Sequence, residues 1–345
     1  MATELAERLA RLGYQVYLFA TERPFRLRRE SPVVYLPVDL PYYPVFPGPL
    51  YTLSLAGTLE REARRLGLDL VHTHYAIPHA AAAYLGLGGA FPLVHTLHGT
   101  DVSVLGMDPA FHGPTRRALL AARATTAVSR ALAKEAEKAF GVRPRVIPNA
   151  VDPERFRPRP ERKRLYAGEG EWLLLHASNF RPIKRVPDLV RAFAKVRKKL
   201  PARLLLLGKG PEEAEARRVA EELGVARWVT FHPPTPHPEE VLGAGDLFLL
   251  ASEEESFGQA ALEALASGVP VVATAVGGVP ELVTPEVGRL VELGDLEGFA
   301  EAVVELLTSP ELPTLRKRAR EYAAERFHPE RITAQYLEVY REALG

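Results

Sequence analysis

The chain has no cysteine among its 345 residues, which excludes disulfide bonds, thiolate metal sites and cysteine nucleophiles. It also lacks a charge excess: 44 lysine and arginine residues balance 43 aspartate and glutamate residues, so nothing favours nucleic acid or an anionic membrane as a partner. No apolar run approaches the roughly 18 to 20 residues that span a bilayer, and residues 1–20 indicate an amphipathic helix and a strand instead of a secretory signal. We therefore expect a cytoplasmic protein without nucleic acid partners or stable membrane association.

Apolar strand-like segments alternate with helix-length segments along nearly the whole chain. A first series of predicted strands covers residues 14–20, 33–38, 68–74, 92–98, 125–129 and 144–149. A second series covers residues 172–178, 202–208, 228–232, 246–252 and 269–275. Because strands separated by helices imply parallel βαβ units with right-handed crossovers, the two series predict two Rossmann-like α/β domains that face a central cleft.

The boundary between the predicted domains lies near residue 150. Residues 152–171 are charged, contain prolines and lack apolar periodicity, which is typical of a linker. We expect an N-terminal domain over residues 1–150 and a C-terminal domain over residues 151–325. The final helix, within residues 326–345, is expected to pack back on the N-terminal domain.

The residues that directly follow the strands are the first candidates for a site, because ligands of such sheets bind beyond the carboxyl ends of the strands. After the strand 246–252, Ser256 and Gln259 have the spacing of a capping box, with Ser256 as the N-cap of a helix. Phe257 and Gly258 would then lie in the first turn, whose free amide groups suit a phosphate.

Two glutamates at this helix have both a structural and a functional interpretation. Glu255 precedes the helix, and Glu263 lies two turns inside it on a face that is otherwise apolar. A solvated acidic loop followed by an ordinary helical glutamate would explain them equally well. In the functional interpretation, Glu263 accepts hydrogen bonds from a ribose diol and Glu255 meets a hydroxylated group beyond the phosphates.

Basic side chains follow the strand 172–178. Arg181 and Lys184 stand where they could neutralise a leaving diphosphate, although a solvated basic loop is the alternative. The next strand ends in a G-x-G-P segment at Gly208, in which Pro211 suits the first position of a helix. This segment lacks the third glycine of a dinucleotide fingerprint, so nicotinamide binding is not supported.

Histidines are concentrated in the first half of the chain. His98 ends a predicted strand and is followed by Gly99, Thr100 and Asp101. It could donate to a sugar hydroxyl, carry a proton, or be an ordinary hydrogen-bonded loop residue. His72 and His74 lie two apart on one strand and hence on one face of the sheet. Because no third ligand lies nearby in sequence, a metal site is not expected there.

The order and spacing of these segments resemble those of the family 4 retaining glycosyltransferases of the GT-B fold. The resemblance is carried by E-x7-E from Glu255 to Glu263, with S-F-G after the first glutamate, by G-x-G-P at 208–211, by "FRPIKR" and by "GGVPELV" at 277–283. It runs over the whole chain. It is narrower in "PFRL", "HYAIPHA", "TLHGTDVSVLGMDP", "TAVS" and "SNFRPIKRV", which resemble the members of this family that begin bacillithiol biosynthesis.

The resemblance implies a donor, an acceptor and roles for the matched residues. The donor would be UDP-GlcNAc and the acceptor L-malate, with retention of configuration and no cofactor or divalent metal. The residues at the reacting sugar and the diphosphate would be His98, Glu255, Lys184 and Arg181. The donor-binding set would be Glu263, Phe257, Gly258, Ser256, Gly208 and Asn179. The acceptor-binding set would be Tyr75, Thr100, Arg116 and Asp101.

Two positions qualify this assignment. Many relatives have an arginine five residues before the lysine; that position is Asn179 here, so Arg181 is taken as its substitute. Arg116 suits malate because a guanidinium group pairs with a carboxylate through two hydrogen bonds.

Relatives also begin with a strand and a glycine-rich loop ahead of the first helix, whereas this chain starts inside that helix. We expect that the natural protein has residues upstream of Met1 that fill a central place in the first sheet. Two alternatives stay open: a family 4 glycosyltransferase with another acceptor, and an inactive protein that binds sugar nucleotides. The resemblance also suggests self-association.

Overall fold

The structure is a computed structural model that describes residues 2–25, 27–46 and 48–345. Met1 and Arg26, which belong to the expected start of the chain and to the "PFRL" segment, lie outside these ranges. The chain forms two compact units: unit 1 comprises Met1–Asn149 with Pro329–Gly345, and unit 2 comprises Ala150–His328. None of the described helices combines the length and the apolar character that crossing a membrane requires.

Both units alternate strands with helices. In chain order the helices are α1 (Ala2–Arg11), α2 (Tyr51–Leu66), α3 (Ala81–Leu87), α4 (Thr100–Ser103), α5 (Pro109–Ala121), α6 (Arg130–Phe140), α7 (Val186–Lys199), α8 (Glu213–Glu222), α9 (Pro238–Leu242), α10 (Gln259–Ala266), α11 (Val279–Leu282), α12 (Leu296–Thr308), α13 (Leu312–Arg326) and α14 (Pro329–Leu344). The strands are β1 (Tyr17–Ala20), β2 (Val34–Pro37), β3 (Val71–His74), β4 (Leu93–Leu97), β5 (Ala124–Ala127), β6 (Arg145–Val146), β7 (Trp172–Ser178), β8 (Ala202–Gly208), β9 (Val229–His232), β10 (Leu247–Leu250), β11 (Val271–Thr274) and β12 (Gly288–Val291). Each predicted strand segment overlaps one of these strands.

The parallel strands of unit 1 belong to two separate sheets. Strands β1 and β2 form one pair, and β3, β4, β5 and β6 form the other sheet in that order. The ladders among the described residues do not join β1 to β3.

The core of unit 1 forms where helices cover the larger sheet. Helix α2 buries Leu55 and Leu59, four residues apart on one helical face, against Val71 of β3 and Leu93 of β4. Burial of each such side chain contributes about 1.5–3 kcal/mol to folding. Helix α14 adds the fully buried Tyr336, so the C-terminal helix belongs to the same compact unit as the N-terminal half of the chain.

Unit 2 contains one parallel sheet of six strands in the order β12, β11, β10, β7, β8, β9. The predicted bounds of β7 and β8 match the structure to the residue, because both are long apolar runs. Strand β12 was not predicted. Its four residues are a glycine, an arginine and two apolar residues, and this pattern is too short and too mixed to indicate a strand. Helices α7 and α12 bury Phe193 and Val303 in the main core of this unit.

Candidate active site

Three loops follow neighbouring strands at one edge of the unit 2 sheet. They are residues 179–185 after β7, 251–258 after β10 and 275–278 after β11. Their backbones are joined directly, since Glu253 N donates to Ile183 O at 2.8 Å and Gly278 N donates to Glu255 O at 2.9 Å. These strand-end loops therefore hold one another in place before any ligand arrives.

The structure brings together two of the predicted site residues in these loops. Lys184 Nζ lies 2.6 Å from Glu255 Oε2, and the two side chains are 16% and 14% exposed. An ion pair so well shielded from water interacts more strongly than an exposed pair, whose contribution is about 0–1 kcal/mol. The pair sets one cation and one carboxylate at fixed positions in the site.

The other predicted basic residues of the loop differ from Lys184. Arg181 is exposed, and within the described residues its side chain has no ion-pair partner. Arg185 turns to its own helix, where its guanidinium contacts Asp188 at 2.6 Å. Arg181 is thus the cation in this loop that is free to meet an anionic ligand, and its contact with the diphosphate stays a prediction.

The G-x-G segment packs against the loop after β7. A Cβ atom on Gly208 would overlap Ser178 O, and one on Gly210 would overlap Asn179 O. Gly208 also has a φ of +139°, which side-chain-bearing residues rarely adopt. Both glycines are therefore explained by the close approach of two backbones. The predicted contact of Gly208 with the donor stays untested, as does that of the exposed Asn179.

A buried histidine supports the same loop and was missed at the sequence level. His176 Nδ1 donates to Leu249 O at 2.9 Å, and burial lowers the pKa of the ring to about 4, so the ring is neutral and its Nε2 is bare. Ser178 Oγ lies 2.8 Å from that nitrogen and so donates to it. The same oxygen accepts a hydrogen bond from Phe180 N at 3.2 Å. The only signal in the sequence was a histidine inside an apolar strand.

The predicted capping box at Ser256 is wrong. Helix α10 begins at Gln259, and its N-cap is Gly258, with a φ of +93° and no side-chain cap. The backbone contacts of the strand-end loops keep residues 253–255 out of the helix until Gly258 turns the chain. Ser256 lies ahead of the helix, and the Phe257 ring is buried against Phe327 at 5.8 Å, so only the backbone of Phe257 remains for a ligand.

Glu263 is buried inside α10, and only 5% of it is exposed. Gln259 lies one turn earlier on the same face, and its Nε2 donates to Glu263 Oε1 at 3.2 Å and to Ala150 O at 3.4 Å. A buried carboxylate needs such donors to stay charged. Gln259 therefore orients Glu263. The sequence did not indicate this role, because Gln259 was assigned to the capping box.

The predicted site residues of unit 1 lie at the ends of β3 and β4. His74 Nδ1 and His98 Nε2 are 3.0 Å apart, and the ring of Tyr75 lies over that of His98 with centroids 4.7 Å apart. Burial lowers the pKa of His98 to about 4 and that of His74 well below its ordinary value. Both imidazoles are therefore neutral at neutral pH.

Tyr75 has a strained backbone. Its φ is +74°, although bulky residues avoid positive φ, and the side chain is 44% exposed. Such strain costs roughly 1–3 kcal/mol and persists where the surrounding structure enforces it, often at functional sites. Tyr75 N donates to Thr96 O at 2.9 Å, which ties the strained residue to β4.

Asp101 holds the two strand ends together through its buried carboxylate. The residue is fully buried; its Oδ2 accepts Ala76 N at 2.7 Å, and its Oδ1 accepts His98 N at 3.0 Å and Gly99 N at 2.7 Å. Burial raises the pKa of this carboxyl, while the backbone hydrogen bonds act in the opposite direction. Asp101 was expected in the acceptor-binding set, but the structure makes it a positioning residue.

The remaining acceptor candidates are more exposed. Thr100 is partly exposed and begins α4, next to His98 in the chain. Arg116 is exposed on α5, and its guanidinium lies near Gly141 at the end of α6. No distance among the described residues links Arg116 to the strand ends, so its proximity to the other candidates stays a prediction.

Both ring nitrogens of His72 have hydrogen-bond partners within unit 1. Its Nδ1 lies 2.7 Å from the hydroxyl of Tyr340 in α14, and its Nε2 lies 2.7 Å from Thr96 Oγ1. Burial lowers the pKa of this ring to about 3. Both ring nitrogens are thus used to fasten α14 to the sheet.

Comparison with known proteins agrees with the division of the chain. The model for Glycosyltransferase Family 4 matches residues 1–155, and the model for Glycosyl transferases group 1 matches residues 159–326. The chain is 39% identical to N-acetyl-alpha-D-glucosaminyl L-malate synthase of Bacillus anthracis, over 100% of this chain and 93% of that protein. It is 32% identical to D-inositol 3-phosphate glycosyltransferase of Saccharomonospora viridis, over 80% of this chain and 70% of that protein.

A solved structure with a similar fold is sucrose-phosphate synthase from Thermosynechococcus elongatus. It has a TM-score of 0.82 at 25% identity, and the match covers 98% of this chain and 91% of that one. The predicted fold class, two α/β domains with parallel sheets, is thereby confirmed.

Proposed function

This chain belongs to the same glycosyltransferase family as the N-acetyl-alpha-D-glucosaminyl L-malate synthase of Bacillus anthracis, and from that membership we propose that it transfers N-acetylglucosamine from UDP-GlcNAc to the hydroxyl group of L-malate. The observation that carries the proposal is 39% identity over the whole chain, which includes the candidate residues of both units. The reaction would be the first step of bacillithiol biosynthesis.

Unit 2 would bind the donor. Lys184 and Arg181 would face the diphosphate, together with the amide groups that precede α10, where the helix dipole favours an anion. Glu263, oriented by Gln259, would accept the ribose hydroxyls, and Glu255 would accept hydroxyls of the sugar. The fixed loops support this assignment because they would not need to reorganise when the donor binds.

Unit 1 would bind malate. Tyr75, Thr100 and His98 lie around one edge of its sheet and offer an aromatic face, a hydroxyl and an imidazole. Arg116 would pair with a malate carboxylate through its planar guanidinium group, since its side chain is exposed. A neutral His98 would meet the sugar without adding charge.

We infer a front-face displacement with retention of configuration. The bond between the anomeric carbon and the phosphate oxygen breaks as the malate hydroxyl attacks from the same side, and the departing phosphate takes the hydroxyl proton. A double displacement needs a carboxylate nucleophile, whereas Glu255 is engaged by Lys184 at 2.6 Å. Lys184 and Arg181 would stabilise the charge that develops on the diphosphate. The expected lack of a cofactor or metal requirement stays a prediction, to be tested by activity in excess chelator.

The test is UDP release from UDP-GlcNAc with and without L-malate, with the product identified by mass spectrometry. Malate-dependent release and a product with the mass of N-acetylglucosaminyl malate are expected. Release with a different hydroxy acid only would favour a family 4 enzyme with another acceptor. Binding of UDP without turnover with any acceptor would favour an inactive sugar-nucleotide-binding protein. Cytoplasmic location and self-association stay predictions.

A further inference from the structure

The side chains of His74 and His98 lie within hydrogen-bond distance, so the position of the proton on one ring depends on the other ring. The two residues end neighbouring strands: His74 lies opposite Thr96 in the parallel ladder, and His98 follows two residues later on the same face. Their nitrogens, His74 Nδ1 and His98 Nε2, are 3.0 Å apart, which is a hydrogen-bond distance.

Only one proton can lie between these two nitrogens. A neutral imidazole has one N–H and one bare nitrogen, and both rings are neutral because burial lowers the pKa of His98 to about 4 and that of His74 well below its ordinary value. If His74 Nδ1 carries the proton, His98 Nε2 is bare and His98 Nδ1 is protonated. If His98 Nε2 carries the proton, His98 Nδ1 is bare. The tautomer of His98 therefore depends on His74.

The surroundings leave His74 little freedom to move. His79 Nδ1 donates to the backbone oxygen of His74, and His79 Nε2 lies 3.1 Å from the hydroxyl of Tyr51. The His74 ring also lies against that of His72, with centroids 4.4 Å apart. On the other side of the pair, Asp101 accepts the backbone N–H of His98 at 3.0 Å. Contacts outside the pair thus hold the backbone of both residues and support the ring of His74.

We propose that His74 is a positioning residue that donates through Nδ1 to His98 and holds His98 as the tautomer with the proton on Nδ1. This inference rests on the proposed function, in which hydroxyl groups, carboxylates and a diphosphate come to the site. All of these present oxygen acceptors, and most carry negative charge. An N–H of His98 stabilises carboxylate and phosphate oxygens, whereas a bare nitrogen repels these anions and only accepts from a hydroxyl.

The kinetic test compares His74→Asn with His74→Leu in the full chain. The amide nitrogen of asparagine stands near the place of Nδ1 and can donate to His98, whereas leucine has similar bulk and no donor. We expect His74→Leu to lower kcat about 10- to 100-fold, less than the 10²–10³-fold loss of a donor that touches the reacting group. His74→Asn should restore most of that loss. KM for UDP-GlcNAc should change little in both variants, because the proposed contacts of unit 2 with the nucleotide and the diphosphate are untouched.

The second readout does not depend on turnover. In protein labelled with 15N at histidine, the ring nitrogens of His98 report which one carries the proton, and His98→Gln identifies its signals. Protonated Nδ1 and bare Nε2 are expected in the wild type and in His74→Asn, and loss of that pattern is expected in His74→Leu. If malate-dependent activity is absent, the proposed function fails while this spectrum still decides the role of His74.

Two results would overturn the inference. One is a wild-type spectrum in which His98 Nε2 carries the proton. The other is equal kinetic loss in His74→Asn and His74→Leu when both variants unfold at the same denaturant concentration as the wild type, because the donor would then be irrelevant.

Discussion

The candidate site residues of the two units differ in chemistry, although both sets follow the strands of parallel sheets. In unit 2 the central pair is charged, with Lys184 and Glu255 joined at 2.6 Å. In unit 1 the central pair is two neutral imidazoles, His74 and His98, joined at 3.0 Å. In the proposed reaction, the diphosphate needs fixed positive charge, whereas the groups near the sugar need a donor of defined direction without net charge.

The two units also fix their site residues in different ways. In unit 2, backbone contacts between loops and the close approach at Gly208 and Gly210 leave little room for movement. In unit 1, one buried carboxylate, that of Asp101, gathers three backbone N–H groups from two strand ends. A single side chain thus does in unit 1 what several loops do together in unit 2.

The largest effect is expected from the charged pair. Lys184→Ala should lower kcat for malate-dependent UDP release by a factor of about 10²–10³, because it removes a cation from the developing charge on the diphosphate. Donor affinity, measured by calorimetry with UDP, should fall by a much smaller factor. Lys209→Ala, an exposed lysine of the neighbouring G-K-G segment, is the matched control and should leave both quantities unchanged. Equal losses of kcat and affinity in Lys184→Ala would contradict the transition-state role.

The next effect concerns acid stability and separates the two units. His72 and His95 of unit 1 have pKa values lowered to about 3 and about 4 by burial, so between pH 6.5 and those values the unfolded chain binds protons that the folded chain does not. The free energy of unfolding therefore falls as pH falls through this window. At pH 5 each such histidine has lowered it by about 2 kcal/mol relative to neutral pH. The raised pKa of the Asp101 carboxyl works in the opposite direction.

Hydrogen exchange measured by mass spectrometry at pH 7 and pH 5, corrected for intrinsic exchange rates, checks this prediction unit by unit. Unit 1 should lose protection first, because it contains five histidines whose pKa is lowered by desolvation: His72, His74, His79, His95 and His98. Unit 2 should lose less, with His176 the one described histidine there whose pKa burial lowers. Equal loss in both units would refute the contrast.

The smallest effect concerns the strained backbone of Tyr75. Tyr75→Gly and Tyr75→Ala both remove the ring, but only glycine adopts a φ of +74° without strain. Tyr75→Gly should therefore be more stable to urea than Tyr75→Ala by about 1 kcal/mol. The exposed Leu53 in helix α2 is the control, since there the glycine variant should be the less stable one. If the glycine variant is the less stable one at position 75 as well, the backbone of Tyr75 is not strained.

Several features of the fold could be predicted because they depend on local pattern alone. Strands β7 and β8 were predicted to the residue, since each contains a continuous run of leucines and has a proline or glycine nearby. Short strands were predicted less well, and β12 was missed, because its pairing with β11 decides its conformation more than its composition does.

Candidate site residues could be named from the sequence where they belong to a motif. They were missed where their role comes from a contact with a residue far away in the chain. Lys184 and Glu255 could be named from the sequence, but not their pairing across 71 positions of chain. Asp101 was assigned to the acceptor from the family resemblance, yet its carboxylate accepts a hydrogen bond from the backbone of Ala76. Gln259 seemed to cap a helix that starts later, and His176 lay unnoticed in a strand.

The sequence by itself determined the alternation of strands and helices, the two domains and the order of the chemical groups along the chain, because these follow from periodicity and from residues at strand ends. Tertiary structure alone decided which groups meet. Parallel packing brings His74 beside His98 and Lys184 beside Glu255, and burial then keeps the first pair neutral and shields the charges of the second from water. Distances and desolvation are properties of the folded chain, so no local pattern could supply them.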